Sequence, residues 1–304
     1  MIAFQALKNK PAAFRCFTGI NLVAFYKLLS AFERANEADL DCRDKKRRSK
    51  RQRKRGGGRN SVLKGTEEKL LFILFYFKIY PLQEVQGYLF GMSQSQACEW
   101  IHRLTPILNC ALGYEKQLPA RTAHDIEQVL KMCPTLEFII DGTERPIRRP
   151  KNKTKQKENY SGKKKRHTLK NNLVTEKPTK KVRVLSPTSE GKKHDKTLAD
   201  EQDIPFPKGS KVWKDTGFQG YEPEGTVTYQ PMKKPKGKEL TAEQKQNNKE
   251  VSKERIGVEH SIGGVKVFNI VHTVYRNFCE GFDDLVMETA CGLHNWRLDF
   301  RLTA

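Results

Sequence analysis

The sequence predicts an α/β fold in which a mixed five-stranded sheet is flanked by helices and preceded by an all-α domain. Residues 136–140 are apolar except for one glutamate and are followed by Asp141 and a glycine, a pattern typical of a buried strand that ends at a turn. Residues 211–214 form a second short strand, which is followed by Asp215. Residues 61–110 carry three consecutive helical patterns, which indicate the all-α domain.

The composition indicates a basic protein with a polyanionic partner. The chain has 304 residues, enough for two domains, and its net charge is +22. Nucleic acid is the usual partner of such an excess of positive charge. The seven cysteines are scattered and form no CxxC pair, so we expect reduced thiols in a cytoplasm. No apolar run reaches the roughly 18 residues that suggest a membrane span, and no membrane partner is expected.

Residues 1–42 predict an N-terminal helical segment, and residues 43–60 form a basic segment whose charges repel one another. The basic segment is either a solvated linker or an arm that follows the phosphates of DNA. The DNA-binding pattern directly after it favours the arm. The arm residues expected to contact DNA are Arg47, Arg48, Arg51, Arg53, Lys54 and Arg55.

Residues 61–115 predict a helix-turn-helix domain. Thr66 caps its first helix, Pro81 opens the second, and Gly91 closes that helix before Ser93 caps the third. A helix, a tight turn and a second helix make up a helix-turn-helix, although an ordinary three-helix bundle has the same pattern. The adjacent basic arm favours DNA binding. Contacts to base edges are expected from the start of the third helix, at Gln94, Ser95 and Gln96.

Residues 116–304 predict the sheet domain. The patterns indicate a helix, three strands, a short helix, two more strands and further helices, with strands near residues 136–141, 167–174, 181–185, 211–215 and 226–230. The ribonuclease H-like nuclease fold has this order, and in such a sheet the first and fourth strands can lie side by side. Asp141 and Asp215 would then be separated by about one strand spacing, roughly 5 Å.

Two neighbouring aspartates and a third carboxylate would form an oxygen site for Mg²⁺, which keeps several waters and needs few protein ligands. Two such ions can activate an attacking oxygen and stabilise a leaving one. Glu254 and Glu259 are the candidates for the third acid, on a helix predicted near residues 250–266. Arg255, Glu259 and Lys266 share one face of that helix. The alternative interpretations are a simple Asp-Gly turn and a surface ladder of ion pairs.

Several segments match one known family: FIIDGTER from residue 138, YSGKKKRH from 160, DTGFQG from 215 and RIGVEH from 255. On these residues the chain resembles DDE transposases of the insertion-sequence-five family, which are related to Harbinger-type elements. The family's C-terminal signature is Tyr, two residues, Arg, three residues, Glu, six residues, Lys. Arg255, Glu259 and Lys266 fit this spacing, whereas Ser252 stands at the tyrosine position. The helix-turn-helix segment resembles the family as well.

The resemblance implies that Asp141, Asp215 and Glu259 are a catalytic triad that holds two Mg²⁺ ions, for which Mn²⁺ can substitute. It implies a transposase that binds the terminal inverted repeats of a mobile element as double-stranded DNA and cleaves them. The freed 3′-hydroxyl would then attack target DNA. Pairing two ends implies a homodimer or a larger assembly. Arg255 and Lys266 would hold phosphates near the triad.

Two further features accompany this resemblance. His194 and Asp195 match a pair that is common in the family, without a definite role. A basic turn is expected to add DNA contacts through Lys163, Lys164, Lys165 and Arg166.

Two other functions share these features. A decayed or domesticated relative would keep the helix-turn-helix and the basic surface and would bind DNA without cleaving it. A ribonuclease or a Holliday-junction nuclease would share the fold of the sheet domain. The three intact acids favour an enzyme, and the basic arm beside a helix-turn-helix favours the recognition of element ends.

Overall fold

The computed structural model describes residues 2–47, 61–234 and 239–301, and of Arg47, Ile256 and Val258 it describes only the backbone. The arm residues Arg48, Arg51, Arg53, Lys54 and Arg55 lie outside the described residues, as does the side chain of Arg47. The chain divides into two compact units. The helical unit comprises Met1–Leu118, Val267–Ile270 and Leu285–Ala304, and the sheet unit comprises Pro119–Lys266 and Val271–Asp284.

The helical unit is built around an apolar helix. Its described helices up to residue 114 are α1 (Phe4–Leu7), α2 (Pro11–Thr18), α3 (Leu22–Arg47), α4 (Thr66–Ile79), α5 (Gln83–Phe90) and α6 (Gln94–Tyr114). All side chains from Leu70 to Phe77 in α4 are at most 3% exposed, so this helix is buried on every side. Among the described residues no single helix is long and apolar enough to span a membrane, and only the bent pair Pro11–Thr18 and Leu22–Lys46 meets that test by length and composition.

The helix α3 extends five residues beyond the predicted end of the N-terminal segment at residue 42 and includes the first residues of the predicted arm. Arg43 supports this extension because its Nε lies 2.9 Å from a carboxylate oxygen of Asp39, one turn earlier. Arg103 of α6 contacts the same carboxylate at 3.3 Å. The basic segment therefore begins as the last turn of a packed helix.

The three helices α4, α5 and α6 form the predicted helix-turn-helix. Gly91 ends α5 with a left-handed backbone (φ 72°), and Ser93 and Gln96 form a reciprocal capping box at the start of α6. The helix α6 extends as far as Tyr114, because its apolar stripe continues through Ile107, Leu108, Ala111 and Leu112.

Gly87 allows the close approach between α5 and the turn. A Cβ atom at this position would lie 2.6 Å from the carbonyl oxygen of Met92 and 3.1 Å from that of Ser93. We expect Gly87→Ala to lower the free energy of unfolding by about 1–3 kcal/mol, the usual cost of overpacking, and to weaken DNA binding. Gly113→Ala is the control, because its nearest neighbour is a side-chain atom of Leu118 at 3.4 Å. Thermal unfolding and gel-shift assays measure both effects, and a fully stable Gly87→Ala variant would contradict this interpretation.

The sheet unit contains a mixed sheet. Its strands are β1 (Glu137–Pro146), β2 (Tyr160–Ser161), β3 (Arg166–Glu176), β4 (Val182–Leu185), β5 (Ser189–Glu190), β6 (Lys211–Lys214) and β7 (Val227–Tyr229). The five longer strands have the order β4-β3-β1-β6-β7, and β2 and β5 are two-residue strands that pair with β3. The strand β1 pairs with β3 antiparallel and with β6 parallel. The predicted mixed α/β fold is confirmed, and the first and fourth of its five main strands are neighbours.

Helices cover both faces of this sheet. They are α7 (Ala123–Lys131), α8 (Lys153–Asn159), α9 (Asp195–Gln202) and α10 (Ala242–Lys266). The last helix of the chain, α11 (Phe282–Asp299), belongs mostly to the helical unit. Phe138 and Ile140 of β1 pack on the face that also buries Ile126 and Leu130 of α7. Ile139 faces the opposite side, where it packs with Val251 of α10. Alternate residues of β1 therefore point to two different layers.

The C-terminal residues divide differently from the prediction, which placed all of residues 116–304 in the sheet domain. Residues 267–270 and 285–304, which include most of α11, belong to the helical unit. Gly292 of α11 lies against α6, since a Cβ atom there would be 3.2 Å from Leu112. The amide of Asn109 also donates hydrogen bonds to Glu288 (2.9 Å) and Thr289 (3.1 Å). The apolar face of α11 completes the core that α4 and α6 begin.

Candidate active site

Asp141 and Asp215 lie next to each other, because each directly follows the last residue pair that joins the parallel strands β1 and β6. Ile140 of β1 pairs with Lys214 of β6, and the two aspartates are the next residues along each strand. The Asp141 carboxylate accepts a hydrogen bond from the backbone N–H of Gly142 (2.8 Å), and that of Asp215 accepts one from Thr216 (2.6 Å). The ends of parallel strands are where such folds place polar side chains for chemistry.

The prediction that the first strand ends in a turn directly after Asp141 is wrong. The strand β1 continues to Pro146, because Gly142 and the residues after it keep pairing antiparallel with β3 after the pairing with β6 has ended. Asp141 therefore lies on a strand that is paired on one side and open on the other. Its carboxylate is held by a rigid backbone rather than by a loop.

Arg255 of α10 lies between the two aspartates. Its Nη2 is 3.7 Å from an oxygen of Asp141, and its Nη1 is 3.5 Å from an oxygen of Asp215. These distances are those of ion pairs and exceed normal hydrogen-bond lengths. The Nε of the same guanidinium is buried without a hydrogen-bond partner. One positive group thus balances two carboxylates without tight binding to either.

The Asp141 carboxyl is an unusually weak acid. Burial raises its pKa to about 6, the nearby negative charges of Asp215 and Asp195 act in the same direction, and Arg255 and the N–H of Gly142 oppose the rise. The side chain is only 19% exposed, which agrees with burial as the main cause. At neutral pH Asp141 is therefore ionised in surroundings that favour its protonated form.

We expect Asp141→Asn to stabilise the metal-free protein at pH 8 and to have little effect on its stability at pH 4. The folded pKa of about 6 exceeds the ordinary aspartate value of 3.8, so the cost of ionisation appears as the pH rises between these values and is complete above 6. At 1.36 kcal/mol per pKa unit the gain is at most about 3 kcal/mol. Urea unfolding in EDTA at both pH values measures it. Asp200→Asn, at an exposed position of α9, is the control, and an equal gain at pH 4 would contradict the assignment.

The third predicted acid, Glu259, is exposed on α10, one turn after Arg255. Among the described residues no group of three or more His, Cys, Asp or Glu side chains is close enough to hold a metal ion. Glu254, the other candidate, pairs with Lys177 at 2.7 Å, and that lysine lies over the ring of Trp213. The triad role of Glu259 stays a prediction.

Lys266 brings positive charge near Asp141, and one lysine of the basic turn lies near Lys266. Burial lowers the pKa of Lys266 and the charge of Lys164 adds to this, while Asp141 and Glu144 oppose it. Lys164 lies in the turn between β2 and β3. The four predicted basic residues of this turn, Lys163, Lys164, Lys165 and Arg166, are all exposed.

The predicted base contacts lie at the exposed N-terminus of α6. Gln94 donates a hydrogen bond to Gln83 (2.6 Å). Gln96 is used in the capping box with Ser93, so its amide also stabilises the helix. Ser95 is exposed. DNA contacts by these residues stay predictions.

The resemblance singled out Asp195 without a definite role, and the structure places its carboxylate against the segments that carry Asp141 and Asp215. Its carboxylate occupies the space next to Gly142 and Gly217, two glycines that closely follow Asp141 and Asp215. The signal in the sequence is the glycine after each aspartate, because a residue without a side chain leaves room for a neighbour.

Two parts of the chain match known families. Residues 140–295 match the family described as DDE superfamily endonuclease, and residues 62–113 match the helix-turn-helix of DDE superfamily endonuclease. The chain is also 33% identical over 250 residues to a protein of Microchaete diplosiphon named "Probable transposase for insertion sequence element IS702", and the alignment covers 82% of this chain and 86% of that protein. No solved structure matches the chain. The narrower insertion-sequence-five assignment stays a prediction, but the chain belongs to the DDE superfamily endonucleases and carries their helix-turn-helix domain.

Proposed function

We propose that this chain is a transposase that recognises the ends of a mobile DNA element, cleaves the DNA there and joins the freed 3′-hydroxyl to target DNA. The observation that carries the proposal is the placement of Asp141 and Asp215 around one guanidinium group, directly after the parallel pairing of β1 with β6 ends. The similar protein of Microchaete diplosiphon bears the name of a transposase. Because two ends have to be joined, we propose at least two copies of the chain in the active complex.

The two aspartates fit a divalent cation, because their carboxylates already share one positive group at 3.5 and 3.7 Å. That group is loosely held, since its Nε has no hydrogen-bond partner. Mg²⁺ needs only one or two carboxylates because it keeps several of its waters. We propose that Asp141, Asp215 and Glu259 hold two Mg²⁺ ions, with Mn²⁺ as a substitute. Bound there, the ions would supply activation of the attacking oxygen and stabilisation of the leaving oxygen.

The charged groups around the aspartates prepare the site for DNA. Asp141 has to be ionised before it binds a cation, and its pKa of about 6 makes the ionised form the main one at neutral pH. Lys266 carries positive charge near Asp141, and Lys164 lies near Lys266. These side chains would attract the phosphates of the strand that is cleaved.

The test uses a labelled duplex that carries one element end and its flanking DNA. With Mg²⁺ the full-length protein is expected to nick the duplex at the boundary between element and flank, and to transfer the labelled end to an added plasmid. EDTA is expected to stop both reactions but to leave the gel shift intact. Binding without either product, in Mg²⁺ and in Mn²⁺, would contradict the proposal.

A second candidate is a DNA-binding relative without catalytic activity. Two observations favour it: Ser252 stands where the resemblance expects tyrosine, and Glu259 is exposed rather than gathered with the two aspartates. The same experiment separates the candidates, because this relative would give a gel shift and no product at any metal concentration.

A further inference from the structure

The Asp195 carboxylate lies between the two segments that carry Asp141 and Asp215, and it contacts both of them. A Cβ atom on Gly142 would lie 2.7 Å from one oxygen of Asp195, and a Cβ atom on Gly217 would lie 2.8 Å from the other. In proteins a Cβ atom does not lie this close to a non-bonded atom, so a residue larger than glycine would collide with Asp195 at either position. The side chain of Asp195 therefore contacts both segments, at Gly142 in the first and at Gly217 in the second.

Asp195 is held in this position from β3. The Nζ of Lys170 lies 3.1 Å from an oxygen of Asp195 and donates a hydrogen bond to the carbonyl of Lys193 (2.7 Å). The amide of Asn172 donates a hydrogen bond to the backbone carbonyl of Asp195 (2.8 Å). Lys170 is only 7% exposed, and Asn172 pairs with Gly142 across the β1–β3 ladder. The side chain and the backbone of Asp195 are thus both tied to the sheet.

We propose that Asp195 is a positioning residue that sets the separation of the Asp141 and Asp215 carboxylates. This inference rests on the proposed function, in which those two carboxylates hold the metal ions. The carboxylate of Asp195 lies against Gly142 on β1 and against Gly217 in the segment after β6, so it limits how far the two segments can approach each other. Its counter-ion is Lys170, so its own role is to maintain the shape of the site.

The two glycines support a role in spacing rather than in backbone flexibility. Neither Gly142 nor Gly217 has the left-handed φ that would by itself require glycine. Each is required because the Asp195 carboxylate occupies the space of its missing side chain. The pattern of one glycine after Asp141 and one shortly after Asp215 is explained by a single residue from α9.

The first experiment measures Mn²⁺ binding by calorimetry without DNA, in the full-length protein. Asp195→Ala is expected to weaken binding by about tenfold or more, the range typical for loss of a group that orients a metal ligand. Asp195→Asn keeps the volume and is expected to recover binding to within about threefold of the wild type. Asp200→Ala, which removes an exposed acid from the same helix, is the matched control and is expected to bind like the wild type. Wild-type affinity in Asp195→Ala would overturn the proposal.

The second experiment is a double-mutant cycle with Gly142→Ala. Alone, the added methyl group collides with Asp195, and binding is expected to weaken. In the Asp195→Ala background the same methyl enters vacant space, so the double variant is expected to bind Mn²⁺ at least about threefold more tightly than the two separate losses predict. Separate losses that simply multiply would show that the two residues act independently and would overturn the proposal, even if both variants are less stable.

DNA cleavage supplies a third measurement, and it distinguishes this inference from the proposed function. Asp195→Ala is expected to lower kcat while the affinity for element-end DNA stays unchanged. Wild-type protein that cleaves in Mg²⁺ while Asp195→Ala behaves identically would overturn the spacing role alone. Wild-type protein that shows no Mn²⁺ binding dependent on Asp141 would overturn both the proposed function and the spacing role.

Discussion

Asparagine in place of Asp141 or of Asp215 is expected to abolish DNA cleavage while the affinity for element-end DNA changes little. Each substitution keeps the size of the side chain and removes the charge that a divalent ion needs. Loss of a residue that merely orients a metal ligand costs about 10–100-fold, so loss of a ligand should cost more than about 100-fold in kcat. Single-turnover cleavage in Mg²⁺ and gel shifts in EDTA measure the two quantities separately.

The same assay can identify the third acid, for which α10 offers a matched pair of variants. Glu259→Gln is expected to reduce cleavage about as strongly as the aspartate variants. Glu254→Gln, on the same helix, is expected to retain activity because its partner is Lys177 rather than the aspartates. Lost activity in Glu254→Gln together with an active Glu259→Gln would reverse the assignment. Full activity in Asp141→Asn would remove the metal site from the proposal altogether.

The strands and the pairing of the first two acids could be predicted from the sequence because local patterns determine them. The apolar run before Asp141 gives a long strand, the Val-Trp pair before Asp215 gives a short one, and the order of elements makes those two strands neighbours. The continuation of β1 beyond Asp141 could not be predicted, because an Asp-Gly pair also favours a turn. Here the antiparallel partner β3 overrides that local preference as far as Pro146.

The surroundings of the two acids depend on contacts between residues far apart in sequence. The spacing of Arg255, Glu259 and Lys266 indicates a shared helix face, but not which of them faces the aspartates. In the structure Arg255 faces the aspartates. This arginine, which was predicted to bind phosphate, is the counter-ion of the two carboxylates. The role of Asp195 could not be assigned from the sequence for the same reason, since its effect depends on two glycines from distant segments.

The packing of the C-terminal helix shows another limit of sequence periodicity. The apolar side chains of α11, such as Val286, Ala290 and Leu293, are buried, but their spacing in the sequence contains no information about the helix against which they pack. The close contact of Gly292 with Leu112 assigns most of α11 to the helical unit. A boundary drawn from the order of elements alone therefore separates segments that share one core.

Neutralising part of the basic arm is expected to weaken DNA binding and to reduce its dependence on salt. In the triple variant Arg51→Gln, Arg53→Gln and Arg55→Gln, the loss of three phosphate contacts would lower the slope of log K against log salt by about 2.7, at roughly 0.9 per contact. The control replaces Lys131, Lys196 and Lys245 with glutamine, because these lysines already pair with acidic neighbours on the surface. Gel shifts over a range of salt concentrations measure both variants.

The structure explains why substitution is a better test of the arm than deletion of the whole basic segment. The segment begins within α3, where Arg43 contacts Asp39, so deletion from residue 43 would also remove packed helix. Arg43, the first residue of the basic segment, and Ser61, the residue directly after it, line one cleft together with Gln96 and Trp100 of α6. The described residues at the two ends of the basic segment therefore lie beside α6, the helix expected to contact base edges. Phosphate contacts made by the arm at this place would strengthen the binding of α6 to DNA. Equal salt slopes for the two triple variants would show that the arm is only a solvated linker.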